Sequence, residues 1–479
     1  MTETETHILM NDGIRLDASI CQPDGTPPGG GWPAVILIHG HGDAASKAST
    51  LPRGRRLAAR GYVTVCYSVR GQGCSEGLVH HMGARELFDL QDVVAWTLSE
   101  LPVHPDKLGV AGSSQGGWHS YMAAIHCPQV ATVLPENIFT HFDEFTVHNG
   151  CLAKWFFTRT MRRRILTAGL QEMAREWALN GDWFRVAEAV KAMSPILFAD
   201  RIKCPVFIVH GWHDVGMPPN EALEMYEKLN VPKKLHIGGG GHDGVDSQEA
   251  QKLREEQVDR WLDHWLKGED NGIMDEPPIT YTRRPRWEHV HVDSLPTSDT
   301  EEQTFYLHNG GSLTASAPEK PDTHANINNV PVDPDYGLAG AIADDLEGVP
   351  KALKREVVSF DTEPLDTDTE ILGTSRFRFF VMPNQTMLQI NAELWDVGPD
   401  GETLITRSQW GTRTAEPGRH LEVEFDARTI GYWIPSGHRI RLSVSNYDHE
   451  YAVPYFEPFV ARLYHDNLHS SSVTIPVRT

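Results

Sequence analysis

Residues 108–118 read LGVAGSSQGGW, and this stretch decides the fold prediction. An apolar run leads into a Gly-x-Ser-x-Gly pattern, and a helix is predicted to begin near Gly116. A strand-to-helix turn this sharp leaves no room for side chains two residues before and two residues after its apex. This explains why residues 112 and 116 are glycines. The apex, Ser114, is then pushed outwards with its hydroxyl exposed. We interpret Ser114 as a nucleophile, with the backbone amide of Gln115 available to a developing oxyanion.

A serine hydroxyl needs a base to take its proton, and the base needs a carboxylate to orient it. In this topology the carboxylate and the base follow the serine in that order. Asp214 comes just past the carboxyl end of a candidate strand at 206–209. His242 follows another candidate strand and a run of four glycines, on a loop that can bring its imidazole over Ser114. The sequence therefore predicts a Ser114–His242–Asp214 triad.

The loop after the first core strand reads HGHG at 39–42, and such a loop can supply further backbone amides to the oxyanion. A metal site is the alternative, built on the pair His39 and His41 or on the pair His80 and His81. Neither pair is accompanied by a third ligand at a suitable spacing. We therefore predict no metal and no cofactor.

Over the first 270 residues, short β-branched runs alternate with amphipathic stretches, which is typical of a parallel sheet with crossover helices. A hairpin is predicted at Asn11-Asp12-Gly13. The candidate parallel strands are 34–38, 63–67, 108–111, 130–134, 206–209 and 234–237. The parallel-sheet unit is thus assigned to 1–135 and 204–274, and the Trp-, Phe- and Arg-rich stretch 136–203 to a helical cap over the site.

After residue 275 the apolar pattern changes to a period of two, as in RFRF at 376–379 and RIRLSV at 439–444. This indicates an antiparallel β-sandwich over 275–479. The proline-rich stretch 315–350 has little periodicity and is predicted to be a long surface excursion.

The chain has 479 residues, of which 40% are hydrophobic and 23% charged, so a small binding module and a disordered protein are excluded. The net charge of −22 repels phosphate backbones and anionic lipid, so neither nucleic acid nor a membrane is an expected partner. The acidic start lacks a signal-like apolar run, and a cytoplasmic location is expected. The six cysteines suggest no disulfide framework. The sequence leaves open whether the protein forms a homo-oligomer.

Taken together, these motifs resemble the family of X-prolyl dipeptidyl-peptidase-like and cocaine-esterase-like serine hydrolases. The resemblance is carried by MNDGIRL at 10–16, RGQGCSEG at 70–77, the turn at Ser114, GWHD at 211–214, GH at 241–242 and PSGHRIRL at 435–442. It implies an α/β-hydrolase core, a helical cap, a C-terminal jelly-roll sandwich and the same triad.

Two positions depart from the family pattern. Members often carry one tyrosine directly after the nucleophile and another in the loop after the first core strand, where its hydroxyl helps to hold the oxyanion. This chain has Gln115 and, by the best local match, His41. Backbone amides or the His41 imidazole are therefore expected to take the place of the tyrosine hydroxyl.

These observations predict a serine hydrolase that cleaves an acyl ester, with a small-molecule ester or amide as substrate. An X-prolyl dipeptidyl peptidase or an α-amino acid ester hydrolase is the runner-up. Asp143 and Glu144 resemble the acidic cap-entrance segment of the latter enzymes and are candidates for holding a substrate's α-ammonium group. A different class of protein, a non-catalytic binding protein with a lectin-like sandwich, is the remaining alternative.

Overall fold

The structure is a computed structural model, and it describes residues 1–42, 45–156, 167, 169, 172, 176–177, 180–242, 247–343 and 346–478. Part of the predicted cap, including all of 157–166, lies outside the described residues. Within the described ranges, no helix is both long and apolar enough to cross a membrane.

The first unit is built on a ten-stranded sheet. Its strands are β1 (Thr2–Leu9), β2 (Arg15–Gln22), β3 (Trp32–Ile38), β4 (Val63–Tyr67), β5 (Val103–Ser113), β6 (Val130–Glu136), β7 (Val206–Gly211), β8 (Lys233–Gly238), β9 (Ile279–Arg283) and β10 (Glu288–Val292). They lie in the order β1-β2-β4-β3-β5-β6-β7-β8-β9-β10. The strands from β4 to β9 run parallel, whereas β1, β2 and β10 join antiparallel to their neighbours. The predicted hairpin and all six predicted core strands are confirmed.

Helices cover both faces of this sheet. The α-helices that the structure gives bounds for are α1 (Leu51–Ala59), α2 (Ala84–Glu100), α3 (Gln115–His126), α4 (Phe142–Thr146), α5 (Trp183–Lys191), α6 (Pro219–Lys228), α7 (Gln248–Leu262), α8 (Gly337–Ala343) and α9 (Val349–Ala352). Along β3, Val35 and Leu37 pack against α1 and α7, whereas Ile36 and Ile38 belong to the core on the opposite face. This alternation buries the strand on both sides, as expected for a central parallel strand.

The sheet continues past the boundary expected at residue 275. Strands β9 and β10 follow that position, yet β9 pairs in parallel with β8 and extends the hydrolase sheet. The assignment of three domains stays a prediction. The first segment of the C-terminal half is nevertheless part of the N-terminal sheet.

The cap segment between β6 and β7 is helical in most of its described part. It contains α4, α5 and a 3₁₀ helix at Pro195–Arg201, together with a short antiparallel pair formed by Val147–His148 and Cys151–Leu152. At its root, the ring of Phe139 stacks with the rings of both Phe142 and Phe145. The cap is thus anchored where the chain leaves β6.

The C-terminal unit is an antiparallel β-sandwich. Its strands are β11 (Thr300–His308), β12 (Ser312–Thr314), β13 (His324–Pro331), β14 (Leu353–Lys354), β15 (Val357–Asp361), β16 (Thr369–Gly373), β17 (Arg376–Pro383), β18 (Leu388–Gly398), β19 (Gly401–Thr412), β20 (Leu421–Asp426), β21 (Ile430–Ile434), β22 (Arg439–Ser445), β23 (Phe459–Tyr464) and β24 (Ser472–Arg478). All pairs are antiparallel except the single contact between β12 and β15. One apolar cluster runs through this sandwich, the cap and one face of the hydrolase sheet.

The prediction of a long surface excursion at 315–350 is wrong in its middle part, where β13 pairs with β23 over six residues. This strand is held by buried asparagines more than by apolar alternation. Asn329 donates to the backbone carbonyls of Tyr455 and Glu457 and accepts from Asn446. A pattern search for apolar residues therefore misses it.

A buried glutamate fixes the root of the cap. One carboxylate oxygen of Glu221, in the first turn of α6, accepts from the backbone amides of Thr140 and His141 at 2.6 and 2.7 Å. Burial raises the pKa of Glu221 to about 7, although the two amides and the charge of His141 oppose the rise. The folded protein therefore binds this proton more tightly than the unfolded chain does.

Because the folded-state pKa is raised, stability associated with Glu221 is fully present below pH 4.5 and is lost as the pH rises through about 7. The loss amounts to about 3 kcal/mol once the carboxylate is ionised. Glu221→Gln keeps an acceptor for both amides and removes the ionisation. We expect the variant to match the wild type at pH 4.5 and to melt roughly 3 °C higher at pH 8, measured by calorimetry.

Glu224→Gln on the same helix is the control. Burial would raise the pKa of Glu224, but the hydrogen bond and charge of His141, together with those of Lys228, outweigh burial and lower it. Its stabilisation is therefore present at neutral pH and disappears in acid, so this variant should melt lower than the wild type at pH 8. A Glu221→Gln curve that runs parallel to the wild type from pH 4.5 to 8 would contradict the argument.

Candidate active site

The turn between β5 and α3 has the strained backbone of a nucleophile elbow. Ser114 has φ 57° and ψ −123°, a conformation that non-glycine residues adopt at a cost. A Cβ atom at Gly112 would lie 2.4 Å from the carbonyl oxygen of Ile38, and one at Gly116 would lie 2.1 Å from the same atom. Only glycine fits at either position, so β3 and α3 can approach closely enough to force the serine outwards.

The elbow also presents a backbone donor. The Ser114 amide donates to the carbonyl of Glu136 on β6 at 2.9 Å, which fixes the turn to the sheet. Gln115 is the first residue of α3, so its amide has no carbonyl partner within the helix. The helix dipole adds partial positive charge there. This amide is suited to stabilise an oxyanion formed next to Ser114.

Asp214 lies in the turn after β7 and is completely buried. Its Oδ2 is 2.7 Å from Nδ1 of His242, and its Oδ1 accepts from the amides of Met217 and Gly216 at 2.9 and 3.1 Å. Burial would raise the pKa of Asp214, but the charge and hydrogen bond of His242 outweigh it and lower the pKa. The carboxylate is therefore ionised, and both of its oxygens are engaged.

The loops after β7 and β8 bring the acid and the imidazole together. The amides of Trp212 and His213 donate to the carbonyls of Gly238 and Gly240, each at 3.0 Å. Because the Asp214 carboxylate can only accept, Nδ1 of His242 carries the hydrogen and Nε2 is the basic nitrogen. The cap contributes Trp155, whose ring centroid is 5.8 Å from that of His242.

The three residues predicted as a triad lie at one edge of the sheet. Ser114, Asp214 and His242 follow the carboxyl ends of β5, β7 and β8, which are separated only by β6. Asp214 and His242 are in direct contact, and Ser114 lies at the elbow two strands from Asp214. His210, on β7, supports the acid turn, since its Nε2 hydrogen-bonds the Met217 carbonyl at 2.8 Å.

The side chains of Gln115 and His41 belong to a buried network. Gln115 donates through Nε2 to Glu86 at 3.0 Å, and its Oε1 accepts from Gln72 at 2.9 Å and from Nδ1 of His41 at 3.1 Å. With the hydrogen on Nδ1, a neutral His41 carries a lone pair on Nε2 and has no donor there. Of the two alternatives left open by the sequence, the geometry therefore favours backbone amides over the neutral His41 imidazole as oxyanion donors.

Glu86, at the far end of this network, was missed by the sequence analysis. It is completely buried, and burial raises its pKa to about 7. Its carboxylate also accepts from the amides of His80 and Met82. The signal that could have revealed it is its place on the buried face of α2, in line with Leu90 and Val93.

Asp143 and Glu144, the candidate residues for an ammonium group, have different partners. Asp143 turns towards α5, where its carboxylate lies 3.6 Å from the Lys191 ammonium group. Glu144 turns the other way and accepts from His148 at 3.0 Å. The reason is helical geometry, since adjacent residues on α4 point to different sides. A joint role of the two carboxylates stays a prediction, and Glu144 is the one that lines a cleft.

Glu144 lines a cleft of about 640 Å³ between the cap and the sandwich. Carboxylates outnumber guanidinium groups in its lining: Glu221, Glu224, Glu424 and Asp426 join Glu144, against Arg376 and Arg428. Burial opposes ionisation of Glu144, but the hydrogen bond and charge of His148, with His141, lower its pKa overall. Glu144 also shares a small void with Trp155, the cap residue that packs beside His242.

The histidine pairs considered for a metal have other contacts. Nδ1 of His39 hydrogen-bonds the carbonyl of Gly40, and its Nε2 accepts from the amide of Val69. The rings of His41 and His81 pack edge to face, 4.8 Å apart. In the part of the chain that the structure describes, no group of three or more His, Cys, Asp or Glu residues is arranged to hold a metal ion.

Two family models match the sequence. The X-Pro dipeptidyl-peptidase (S15 family) model matches residues 12–194 and 170–244, a span that includes Ser114, Asp214 and His242. The model of the X-Pro dipeptidyl-peptidase C-terminal non-catalytic domain matches residues 271–458. The two matches together cover both folding units.

Curated relatives carry two kinds of name. A Bacillus cereus protein named as a candidate Xaa-Pro dipeptidyl-peptidase is 22% identical over 452 residues, with 84% of this chain and 73% of that protein covered. A Mycobacterium bovis protein named as a candidate serine esterase is also 22% identical, with 100% of this chain and 95% of that protein covered.

Solved structures share the whole architecture. An aminopeptidase from a marine sediment Thaumarchaeota archaeon superposes with a TM-score of 0.77 at 16% identity, covering 100% of this chain and 96% of that one. An α-amino acid ester hydrolase gives 0.74 at 18% identity, with the same coverage. A CocE/NonD family hydrolase from Staphylococcus aureus gives 0.76 at 15%, covering 99% and 93%. With an α/β-hydrolase core, a C-terminal β domain and both family models matched, this chain belongs to the X-Pro dipeptidyl-peptidase (S15) family of serine hydrolases.

Proposed function

We propose that the protein is a serine esterase that cleaves a small-molecule carboxylic ester through a covalent acyl-enzyme. Ser114 is the nucleophile, His242 the general base and acid, and Asp214 the residue that orients His242. The observation that carries the proposal is the 2.7 Å hydrogen bond between Asp214 and His242, at the sheet edge where Ser114 occupies a strained elbow.

In the first half-reaction, Ser114 Oγ attacks the ester carbonyl while Nε2 of His242 takes the hydroxyl proton. The buried, ionised Asp214 stabilises the imidazolium that forms. The carbonyl oxygen becomes negatively charged and is held by the amide of Gln115 and by the backbone amides of the loop that contains His41. His242 then protonates the departing alcohol, which leaves Ser114 acylated.

In the second half-reaction, His242 takes a proton from water, and the resulting hydroxide attacks the acyl group on Ser114. Collapse of the second tetrahedral intermediate releases the acid and returns the proton to Ser114. Every step uses side chains and backbone amides of this chain. An ester is favoured over an amide as substrate because an alkoxide leaves with less assistance than an amine. Ester cleavage therefore needs no contacts beyond the triad and the oxyanion donors.

A second candidate, hydrolysis of α-amino acid esters or of peptides from their amino terminus, is favoured by the acidic cleft. Glu144 is half-exposed in that cleft and shares a void with Trp155 beside His242. A carboxylate there would attract a substrate's α-ammonium group. An X-prolyl dipeptidyl peptidase would use the same attraction, because its substrates also have a free amino terminus.

The triad is tested by Ser114→Ala and His242→Ala. Each variant should lower the turnover of p-nitrophenyl acetate or butyrate by about 10⁴-fold or more, because members of a triad act as one unit. Circular dichroism and the melting temperature should stay close to the wild type for Ser114→Ala. A fluorophosphonate probe should label Ser114, which peptide mass spectrometry identifies. Wild-type rates in Ser114→Ala, or labelling elsewhere, would exclude this mechanism.

The role of Glu144 is tested with a substrate pair, phenylglycine methyl ester and the phenylacetate methyl ester that lacks the amino group. If Glu144 holds the ammonium group, Glu144→Gln should lower kcat/KM for the amino ester by about fivefold to tenfold and leave the other ester unchanged. Asp143→Asn is the matched control, since Asp143 faces Lys191, and it should change neither rate.

Equal wild-type rates on both esters would assign a plain carboxylesterase. The same conclusion would follow if Glu144→Gln slowed both esters by the same factor.

A further inference from the structure

The C-terminal sandwich reaches the turn of Asp214 through one side chain. Arg428 lies between β20 and β21, and its Nη1 donates to the backbone carbonyl of Asp214 at 2.6 Å. Two further hydrogen bonds join the turn of Arg428 to the start of α6. Asn220 donates to the carbonyl of Ala427, and it accepts from the amide of Thr429, both at 2.9 Å. The segment from 214 to 220 is therefore attached to the sandwich at both of its ends.

The guanidinium group of Arg428 is itself fixed. Its Cζ lies 3.4 Å from the ring centroid of Tyr451, so the planar group stacks on a buried aromatic face. Burial and the charge of nearby Arg407 lower the pKa of Arg428, while Asp214 and Asp448 act in the opposite direction. Arginine keeps its charge in such surroundings, which makes this a charge-assisted hydrogen bond.

Tyr451, on which the guanidinium group stacks, also contacts the cap segment on the His242 side of the Asp214–His242 pair. The carbonyl of Tyr451 accepts from the amide of Lys154 at 3.1 Å, and the amide of Val453 donates to the carbonyl of Leu152 at 2.8 Å. This is the cap segment that leads directly to Trp155, whose ring packs beside His242. One segment of the sandwich thus supports the acid turn and the aromatic neighbour of the imidazole.

The direction of the Asp214 carboxylate depends on its turn. Oδ1 is held by the amides of Gly216 and Met217, and Oδ2 is left to His242. If the turn shifts, the carboxylate and then the imidazole shift with it. A displacement of about 1 Å in a reacting group can cost about a hundredfold in rate. The bond from Arg428 restrains this turn from outside the hydrolase core.

We propose that Arg428 is a positioning residue of the serine hydrolase site, which holds the Asp214 turn so that the Asp214–His242 pair keeps its geometry. This inference rests on the triad of the proposed function. Arg428 also lines the cleft that contains Glu144, but its hydrogen bond goes to the backbone of Asp214 and not to the reacting atoms. Through that bond it gives the C-terminal domain a part in turnover beyond its contribution to stability.

The test compares Arg428→Met, Arg428→Lys and a matched control, Arg439→Met. Arg439 also donates from its guanidinium to a backbone carbonyl, that of Thr362 at 2.8 Å, but both of these residues lie in the sandwich. The readouts are kcat and KM for p-nitrophenyl butyrate, the pH profile of kcat/KM and the melting temperature.

Arg428→Met should lower kcat by roughly tenfold to a hundredfold while KM changes by less than about twofold. Loss of a positive charge near the pair favours the protonated imidazole, so the acidic limb of the kcat/KM profile should move to higher pH. Arg428→Lys restores the charge and one donor and should recover part of kcat. Arg439→Met should match the wild type in all three kinetic readouts.

A readout independent of turnover separates this proposal from the proposed function. The Nδ1 proton of His242, bonded to Asp214, should give a low-field proton resonance that is absent in His242→Ala. Arg428→Met should shift or broaden that resonance, and Arg439→Met should leave it in place. If the wild type lacks esterase activity but the resonance responds to Arg428→Met, the proposed function fails and the positioning role stands.

The positioning role is overturned if Arg428→Met and Arg439→Met share the same kcat, pH profile and low-field resonance. It is equally overturned if Arg428→Met loses activity only in proportion to unfolded protein. If Arg428→Met does not fold, Arg428→Lys is the deciding variant. An unchanged kcat and an unchanged low-field resonance in Arg428→Lys exclude the proposal. An intermediate kcat with a shifted pH profile supports it.

Discussion

The close approach of the Ile38 carbonyl to the turn between β5 and α3 is the constraint on which the rest of the active site depends. Glycine at 112 and 116 removes the side chains that would collide with that oxygen. Ser114 then takes up a backbone conformation that the surrounding sheet must maintain. Parallel pairing of β5 with β3 and β6 supplies that support, and the same pairing brings β7 and β8 to the edge where their loops can meet the serine.

Sequence patterns were sufficient for those parts of the molecule in which local chemistry decides the outcome. The core strands are β-branched runs bounded by glycine and proline, and the elbow needs its glycines for a steric reason that the sequence already contains. The contact between Asp214 and His242 likewise follows from two loops at one sheet edge. These features could be predicted because each depends on a short segment and on the general order of strands.

The remaining features depend on contacts between distant segments. Strand β13 is held by the amide groups of Asn329 and Asn446, which a search for apolar alternation reads as loop. Asp143 and Glu144 are adjacent in sequence, but on the helix they point in different directions, and Lys191 is 48 positions from Asp143, the carboxylate it pairs with. Arg428 follows Asp214 by more than two hundred residues, and nothing near it in the sequence indicates an arginine that binds a carbonyl of the hydrolase core.

Strands β9 and β10 have a consequence for any attempt to recombine this protein with its relatives. A chimera joined at residue 275, where the sequence changes character, would take its last two sheet strands from one parent and the sheet that receives them from the other. The edge of β8 would then have to pair with a strand selected in a different protein, and an unpaired edge invites aggregation. A junction between β10 and β11, at 293–299, leaves the ten-stranded sheet whole. Such a junction keeps the pairing of β8 with β9 within one parent.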